Sequence, residues 1–351
     1  MNTDKWWKDT VIYEIFPKAF SNEGLKGIEA RLGDIKELGA ETLWLCPVFM
    51  SPFMDSGYDI SDYYHINPMF GHMEDFRSLV RASHKIGMKV ILEIAFNHTS
   101  SAHPWFQEAL SNPDSKFRDY YIFSKGTRSN PPNGWISSKT RKSPWTYNGL
   151  TDDYYLHIYT THQPDLNWAN EAVREEAANI LLYWLELGVD GFRLDVINKI
   201  AKPDLSEKSQ EEYADYLYEN HPTSHTYIKE LNKRVKEAYP NCFLLGQISG
   251  VSKAQAIDYA DEQRRELDSF LQFEHADIHQ SEDAFQRKWN LPVFKDIIMS
   301  WQDFDGYEVT GSNFLSNHDS ARIVSRLTNA TGSNVNRACL LYTSPSPRDR
   351  S

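Results

Sequence analysis

Arg193 and Asp195 lie two residues apart in the apolar segment Gly-Phe-Arg-Leu-Asp. This segment has the length and composition of a buried β-strand. Alternate residues of a strand point to the same face, so the two side chains are predicted to lie side by side. A guanidinium next to a carboxylate favours the ionised form of the acid. The pair is either a structural ion pair or a carboxylate held ionised for chemistry.

Three more apolar segments end in polar residues: 93–98 ends in Asn-His, 243–247 in Gly-Gln, and 312–319 in Asn-His-Asp. The carboxyl ends of parallel strands meet at one rim, which is where active sites of such sheets lie. Several desolvated polar groups at one rim are costly unless a ligand uses them. We therefore predict a ligand site where the following side chains converge: His98, Asp195, His318 and Asp319.

Short apolar runs alternate with segments of helical period along most of the chain, which is typical of repeated βα units and a parallel sheet. Seven strands can be counted, one fewer than closes a barrel. The predicted fold is α/β, a (β/α)8 TIM barrel truncated after about seven βα units. The predicted strands are Val11–Phe16, Thr42–Cys46, Lys89–Ile94, Gly191–Val196, Phe243–Leu245, Ser269–Phe273 and Ser312–Leu315.

The alternation is interrupted after the third strand by a stretch rich in Asn, Pro, Ser, Gly and aromatic residues, too long for an ordinary loop. We interpret it as a small inserted domain at 99–168, between barrel parts at 1–98 and 169–339. Residues 340–351 read LLYTSPSPRDRS and change abruptly in composition. We interpret them as a non-native tail; a natural disordered tail is the alternative.

The composition excludes several classes of protein. A net charge of −12 without a Lys/Arg cluster argues against a nucleic-acid partner. The chain contains 3 widely spaced cysteines, which suggest neither a zinc site nor a disulfide framework. No apolar window reaches the roughly 18 residues of a membrane span, and no signal peptide precedes the first strand. We expect a cytoplasmic protein with no membrane partner and no cofactor.

The motifs together carry a resemblance to a known family. In chain order they are WWKDTVIYEIFPKAF, GYDISDY, FNHTS, QPDLNW, DGFRLDV and NHDSAR. The chain resembles glycoside hydrolase family thirteen, the α-amylase superfamily, and most closely its oligo-1,6-glucosidase group. The likeness runs from Trp6 to about Arg337 and implies an oligosaccharide substrate.

The resemblance assigns roles residue by residue. Asp195 matches the nucleophile that forms a covalent glucosyl-enzyme, and Asp319 matches the carboxylate that stabilises the transition state. Tyr58 would stack on the non-reducing glucose, and Asp59 would bind its hydroxyls, which implies exo-cleavage. The other residues that match the substrate-binding set are His98, Arg193, His318 and Arg322.

Gln247 departs from the family, which has a glutamate there as the proton donor. An amide can donate a hydrogen bond but cannot give up a proton at neutral pH. The loss of general acid–base help is typically about 10² to 10⁴ in rate, so we expect an impaired or inactive chain. An engineered change, a natural non-catalytic homologue and a sequence error remain alternative explanations.

Three smaller features concern the expected linkage preference, the surroundings of the site and calcium binding. Val196 follows the nucleophile, and valine there tends in the family to accompany α-1,6 linkages; the alternative is that it merely completes a buried strand. Glu93 stands where the family usually has Asp. The loop Ser21–Gly27 lacks the acids that bind calcium in close relatives, so no calcium is expected there. The competing functions are hydrolysis of trehalose 6-phosphate or sucrose, and non-catalytic carbohydrate binding.

Overall fold

The computed structural model describes residues 5–137, 139–203, 215–276 and 291–319. Twelve strands occur in this part of the chain: β1 Ile12–Ile15, β2 Thr42–Leu45, β3 Phe49–Met50, β4 Asp62–Ile66, β5 Lys89–Ala95, β6 Phe123–Ser124, β7 Trp145–Asn148, β8 Asp153–Leu156, β9 Gly191–Asp195, β10 Phe243–Gln247, β11 Ser269–Leu271 and β12 Gly311–Ser312. Ten α-helices accompany them: α1 Pro17–Phe20, α2 Gly24–Glu29, α3 Leu32–Glu37, α4 Met73–Lys85, α5 Pro104–Ser111, α6 Glu171–Glu186, α7 Asp215–Tyr218, α8 Pro222–Ala238, α9 Lys253–Ala260 and α10 Leu291–Ser300.

Seven of the strands form one parallel sheet in the order β1-β2-β5-β9-β10-β11-β12. The order follows the chain, as it does in a (β/α)8 barrel, so the predicted fold class is confirmed. The sheet is curled, because side chains from widely separated strands pack into one interior cluster. That cluster consists of Trp7, Trp44, Ile91, Phe243, Leu245 and Leu271.

Helices α4, α6 and α8 cover the outer face of the sheet with apolar stripes. In α4 the buried residues follow helical spacing: Phe76, Leu79, Val80 and Ser83. A capping box closes its first turn, in which the Asp75 carboxylate accepts from the His72 backbone N–H at 2.8 Å. Among the described residues, no helix combines the length and the apolarity that a bilayer crossing requires.

The stretch after β5 contains its own small elements. Strands β6, β8 and β7 form an antiparallel sheet, and α5 precedes it. A separate apolar cluster includes Trp135, Trp145, Tyr154 and Leu156 from this stretch. The limits of the inserted domain, 99–168, and of the two barrel parts stay a prediction.

The predicted element boundaries differ from the structure at a few positions. Apolar residues recur at helical spacing at Ile28, Leu32, Ile35 and Leu38, which predicts one helix, but the structure has two short helices, α2 and α3, separated at Ala30–Arg31. The last two strands are shorter than predicted and end at Leu271 and Ser312. Apolar residues continue past both ends, and periodicity alone cannot tell a strand from an apolar loop that packs beneath it. The interpretation of 340–351 lies outside the described residues.

Candidate active site

Arg193 lies in the middle of the sheet and contacts side chains from three strands. Strand β9 pairs with β5 on one side, opposite Glu93, and with β10 on the other. The Arg193 guanidinium donates to Glu93, to Asp195 at 2.5 Å and to the Gln247 side-chain oxygen at 2.5 Å. Arg193 is only 2% exposed, so these bonds replace the hydration of its two terminal nitrogens, whereas its buried Nε has no hydrogen-bond partner among the described residues. We call Arg193, Glu93, Asp195, Gln247 and Tyr58 the arginine cluster.

Glu93 is fully buried, and its hydrogen bonds offset the cost of removing its carboxylate from water. It accepts from the Trp44 indole N–H at 2.8 Å and from the Tyr58 hydroxyl at 2.6 Å, besides Arg193. Burial raises the pKa of Glu93, and the Arg193 guanidinium opposes that shift. The longer side chain that departs from the family pattern is therefore held by three donors.

Asp195 ends β9 beside the guanidinium. Burial raises the pKa of Asp195, while Arg193 lowers it through its charge and its hydrogen bond. The next residue, Val196, has φ 40° and ψ 41°, a left-handed conformation that is strained for a β-branched residue. This turn ends the strand at Asp195 and directs the Val196 N–H toward the Gln247 oxygen, 3.4 Å away.

Gln247 is the last residue of β10 and follows a glycine that the packing requires. A Cβ at Gly246 would lie 2.3 Å from the Leu267 side chain. The amide oxygen of Gln247 faces Arg193, which leaves its NH2 group to donate to another acceptor.

His318 follows the last strand and lies against β1, on the far edge of the sheet. Its Nδ1 lies 2.6 Å from Glu14 Oε1 and 3.8 Å from the Cys46 sulfur. The thiol in turn donates to Glu14 at 3.4 Å. We call Glu14, Cys46 and His318 the thiol cluster. Burial lowers the pKa of His318, but the bond to Glu14 and the charges of nearby carboxylates raise it to about 9.

Tyr58 joins the thiol cluster to the arginine cluster. Its hydroxyl donates to Glu93 and lies 2.7 Å from His318 Nε2, so the ring N–H donates to the tyrosine oxygen. The Tyr58 and His318 rings are also stacked, with centroids 5.5 Å apart. Among the described site residues Asp319 is the most exposed, and its Oδ1 lies 3.5 Å from His318 Nε2.

His98 follows the end of β5 and contacts a separate set of side chains. Its ring nitrogens contact Gln163 at 3.0 Å and Asn97 at 3.3 Å. The Lys202 ammonium donates to Asn97 at 2.7 Å and lies 3.5 Å from Asp165. These five residues form the lysine cluster. Burial, with a further contribution from the Lys202 charge, lowers the pKa of His98 to about 3, so its ring is neutral.

Asp59 does not join these clusters directly. It is fully buried, and its oxygens accept from the Ser51 hydroxyl at 2.9 Å and from the Met54 and Asp55 N–H groups at 3.0 Å. These bonds shape the loop that carries Tyr58. Contact of Asp59 with a sugar therefore stays a prediction, and Arg322 lies outside the described residues.

Three site residues escaped the sequence reasoning: Glu14, Cys46 and Lys202. Glu14 gave a usable signal, since a carboxylate inside the apolar run Val11–Phe16 is unexpected in a barrel strand. Cys46 gave none, because a buried thiol at the end of a strand also suits a core. The donor atoms of Glu14, Cys46, Glu93 and His318 lie within 4.8 Å of one another, which makes this the group most suited to a metal among the described residues.

The chain matches the family model of the α-amylase catalytic domain over residues 14–344. The chain belongs to this family. The membership predicted from the motifs is confirmed, and the position of the polar clusters at the carboxyl ends of the strands is where a barrel of this family carries its site.

The named relatives include oligo-1,6-glucosidases, an α-glucosidase and a trehalose-6-phosphate hydrolase. The chain is 40% identical over 335 residues to an oligo-1,6-glucosidase of Parageobacillus thermoglucosidasius, an alignment that covers 92% of this chain and 59% of the relative. It is 37% identical over 353 residues to the trehalose-6-phosphate hydrolase of Bacillus subtilis, covering 96% and 62% respectively.

Solved structures of the α-amylase family superpose closely on this chain. The trehalose-6-phosphate hydrolase of Bacillus licheniformis gives a TM-score of 0.84 at 37% identity, covering 92% of this chain and 59% of that one. A trehalulose synthase mutant gives 0.85 at 31% identity, covering 92% and 60%. The chain thus spans about three fifths of the length of these relatives.

Proposed function

We propose that this chain carries the site of a retaining α-glucosidase that removes single glucose units from short α-glucans. The observation that supports it most is the position of Asp195 and Gln247 on one guanidinium. A retaining enzyme needs its nucleophile and its acid about 5 to 5.5 Å apart. Two side chains that bond neighbouring nitrogens of Arg193 are held close together, at the ends of adjacent strands.

The chemistry follows from the two positions. Asp195 attacks the anomeric carbon, its carboxylate forms a glucosyl ester, and the bond to the leaving oxygen breaks. That oxygen must gain a proton, and water must later lose one as it hydrolyses the ester. A glutamate at this position of β10 would supply both steps, whereas Gln247 offers only an N–H donor. We therefore propose that sugar binding is retained and turnover is impaired.

Isomaltose-like, α-1,6-linked oligosaccharides are the proposed substrates. Relatives named oligo-1,6-glucosidase support this choice, as does Val196 directly after the proposed nucleophile. Tyr58 and His98 are proposed to contact the non-reducing glucose, with Arg193, His318, Asp59 and Asp319 completing its surroundings. A cytoplasmic location stays a prediction.

Two other functions have some support. Hydrolysis of trehalose 6-phosphate is favoured by the relatives of that name, and the sucrose alternative stays open. Carbohydrate binding without catalysis is favoured by Gln247 itself.

The decisive experiment compares the chain with its Gln247→Glu variant on isomaltose, maltose, trehalose 6-phosphate and sucrose. We expect the variant to cleave isomaltose fastest, release α-glucose first and exceed the parent by about 10²- to 10⁴-fold. Proton NMR of the first product reports retention.

Asp195→Asn in the Gln247→Glu background is the matched control and should abolish the gain. Equal rates for the parent chain and the Gln247→Glu variant, when both bind sugar, would support the binding function instead. Faster cleavage of trehalose 6-phosphate than of isomaltose would replace the proposed substrate.

A further inference from the structure

The thiol cluster places three good metal ligands from three separate segments at one point. Glu14 comes from β1, Cys46 follows β2 and His318 follows β12. A thiolate, an imidazole and a carboxylate together suit Zn²⁺ and other borderline-soft divalent cations rather than Mg²⁺ or Ca²⁺. We propose that Glu14 Oε1, Cys46 Sγ and His318 Nδ1 form a site for Zn²⁺ or a similar cation; this inference does not rest on the proposed glucosidase function.

The distances between the donor atoms fit a tetrahedral ion. Ligand bonds of about 2.0 to 2.3 Å place neighbouring donors roughly 3.3 to 3.6 Å apart. Here the sulfur lies 3.4 Å from Glu14 Oε1 and 3.8 Å from His318 Nδ1. The third separation, between Nδ1 and Oε1, is 2.6 Å because the two atoms share a proton. Only this pair must open, by less than about 1 Å.

The surroundings orient the histidine as an outer shell does in known metal sites. A metal-binding imidazole usually donates its second ring N–H to a hydrogen-bonded partner, which fixes the ring. His318 Nε2 lies 2.7 Å from the Tyr58 oxygen, and the Tyr58 hydroxyl donates to Glu93 at 2.6 Å. This relay leaves Nδ1 as the ligand atom.

Glu93 is close enough to be a fourth ligand, but its oxygens already serve other donors. It accepts from Trp44, Tyr58 and Arg193. The fourth position of the ion is therefore assigned to water, which gives three protein ligands and one exchangeable one. Loading the site releases the thiol proton of Cys46 and the Nδ1 proton of His318, so one dication replaces two protons.

The test is Co²⁺ titration of the tag-free chain, followed by absorption spectroscopy. A cobalt–thiolate bond gives a charge-transfer band in the near ultraviolet, and tetrahedral cobalt gives strong visible bands. We expect both bands in the parent chain and loss of the thiolate band in Cys46→Ser. Cys242→Ser is the matched control, since Cys242 is also buried and contacts no described ligand set.

Competition between Zn²⁺ and a chromophoric chelator gives the affinity. Glu14→Gln should weaken Zn²⁺ binding by at least about tenfold, and Tyr58→Phe by about 10- to 100-fold through loss of the outer shell. Circular dichroism checks that each variant is folded. A parent chain without the thiolate band, or a band that survives in folded Cys46→Ser, would overturn the proposal, as would unchanged Zn²⁺ affinity in folded Glu14→Gln.

Discussion

Two histidines of the same site have opposite electrostatic surroundings. His98, in the lysine cluster, is 2% exposed and has an ammonium nearby, and its pKa is lowered to about 3. His318, in the thiol cluster, donates to Glu14 and has other carboxylates around it, and its pKa is raised to about 9. Burial acts in the same direction on both rings. Nearby carboxylates outweigh burial at His318 and make it cationic at neutral pH, whereas burial, reinforced by the Lys202 charge, keeps His98 neutral.

Removing the cation of the lysine cluster is expected to cause the largest loss of unfolding free energy. Lys202→Met leaves Asp165, which is fully buried, without its counter-charge. Breaking a buried pair in this way costs about 3 to 5 kcal/mol of unfolding free energy. Urea denaturation should show a loss of that order.

Lys26→Met is the control for that loss. Lys26 also faces a carboxylate, Asp75, at 3.5 Å, but its side chain is 72% exposed. An exposed pair contributes about 0 to 1 kcal/mol. Similar losses in both variants would mean that the Lys202 pair is not effectively buried.

The two histidines also predict opposite dependences of stability on pH. The pKa of His98 is lowered to about 3, so the unfolded chain takes up its proton first as pH falls, and stability is lost between about pH 6.5 and 3. The pKa of His318 is raised to about 9, so its contribution is complete below about pH 6.5 and is lost as pH rises through 9. At about 1.4 kcal/mol per pKa unit, these shifts correspond to at most about 5 kcal/mol on the acid arm, where stability is lost as pH falls, and to at most about 3 kcal/mol on the alkaline arm, where stability is lost as pH rises.

Unfolding free energies measured across pH separate the two arms. His98→Gln should flatten only the acid arm, and Glu14→Gln only the alkaline arm. Imidazole NMR should find the pKa of His318 lowered toward its usual value of about 6.5 in Glu14→Gln. An unchanged His318 pKa in that variant would contradict the role given to Glu14.

The smallest loss of unfolding free energy is expected at Tyr58, which contacts both the arginine cluster and the thiol cluster. Tyr58→Phe removes the donor to Glu93 and the acceptor of the His318 N–H, at a cost of about 1 to 3 kcal/mol. Tyr64→Phe is the control, because its bond to Glu176 is more accessible to water and should cost less. A folded Tyr58→Phe variant with no loss of stability would indicate that Tyr58 stabilises the fold by packing alone.

The sequence predicts those parts of the site that depend on local spacing. Arg193 and Asp195 meet because strand alternation puts them on one face, and the strand order follows the order of βα repeats. Glu14 and His318 are 304 residues apart, so only the curling of the sheet brings them together. Lys202 similarly reaches Asn97 across 105 residues, a contact that no local pattern records. Asp59 illustrates a third limit, since a motif identifies the residue but not the three loop donors that occupy its oxygens.

The left-handed backbone at Val196 connects the proposed α-1,6 preference with the stability of the fold. A β-branched residue at φ 40° is more strained than alanine would be at the same position. A change from valine to alanine would therefore enlarge the site and relax the backbone in a single mutational step. Loss of the proposed α-1,6 preference by this route would stabilise the fold. Valine would therefore persist only under selection for the α-1,6-linked substrate.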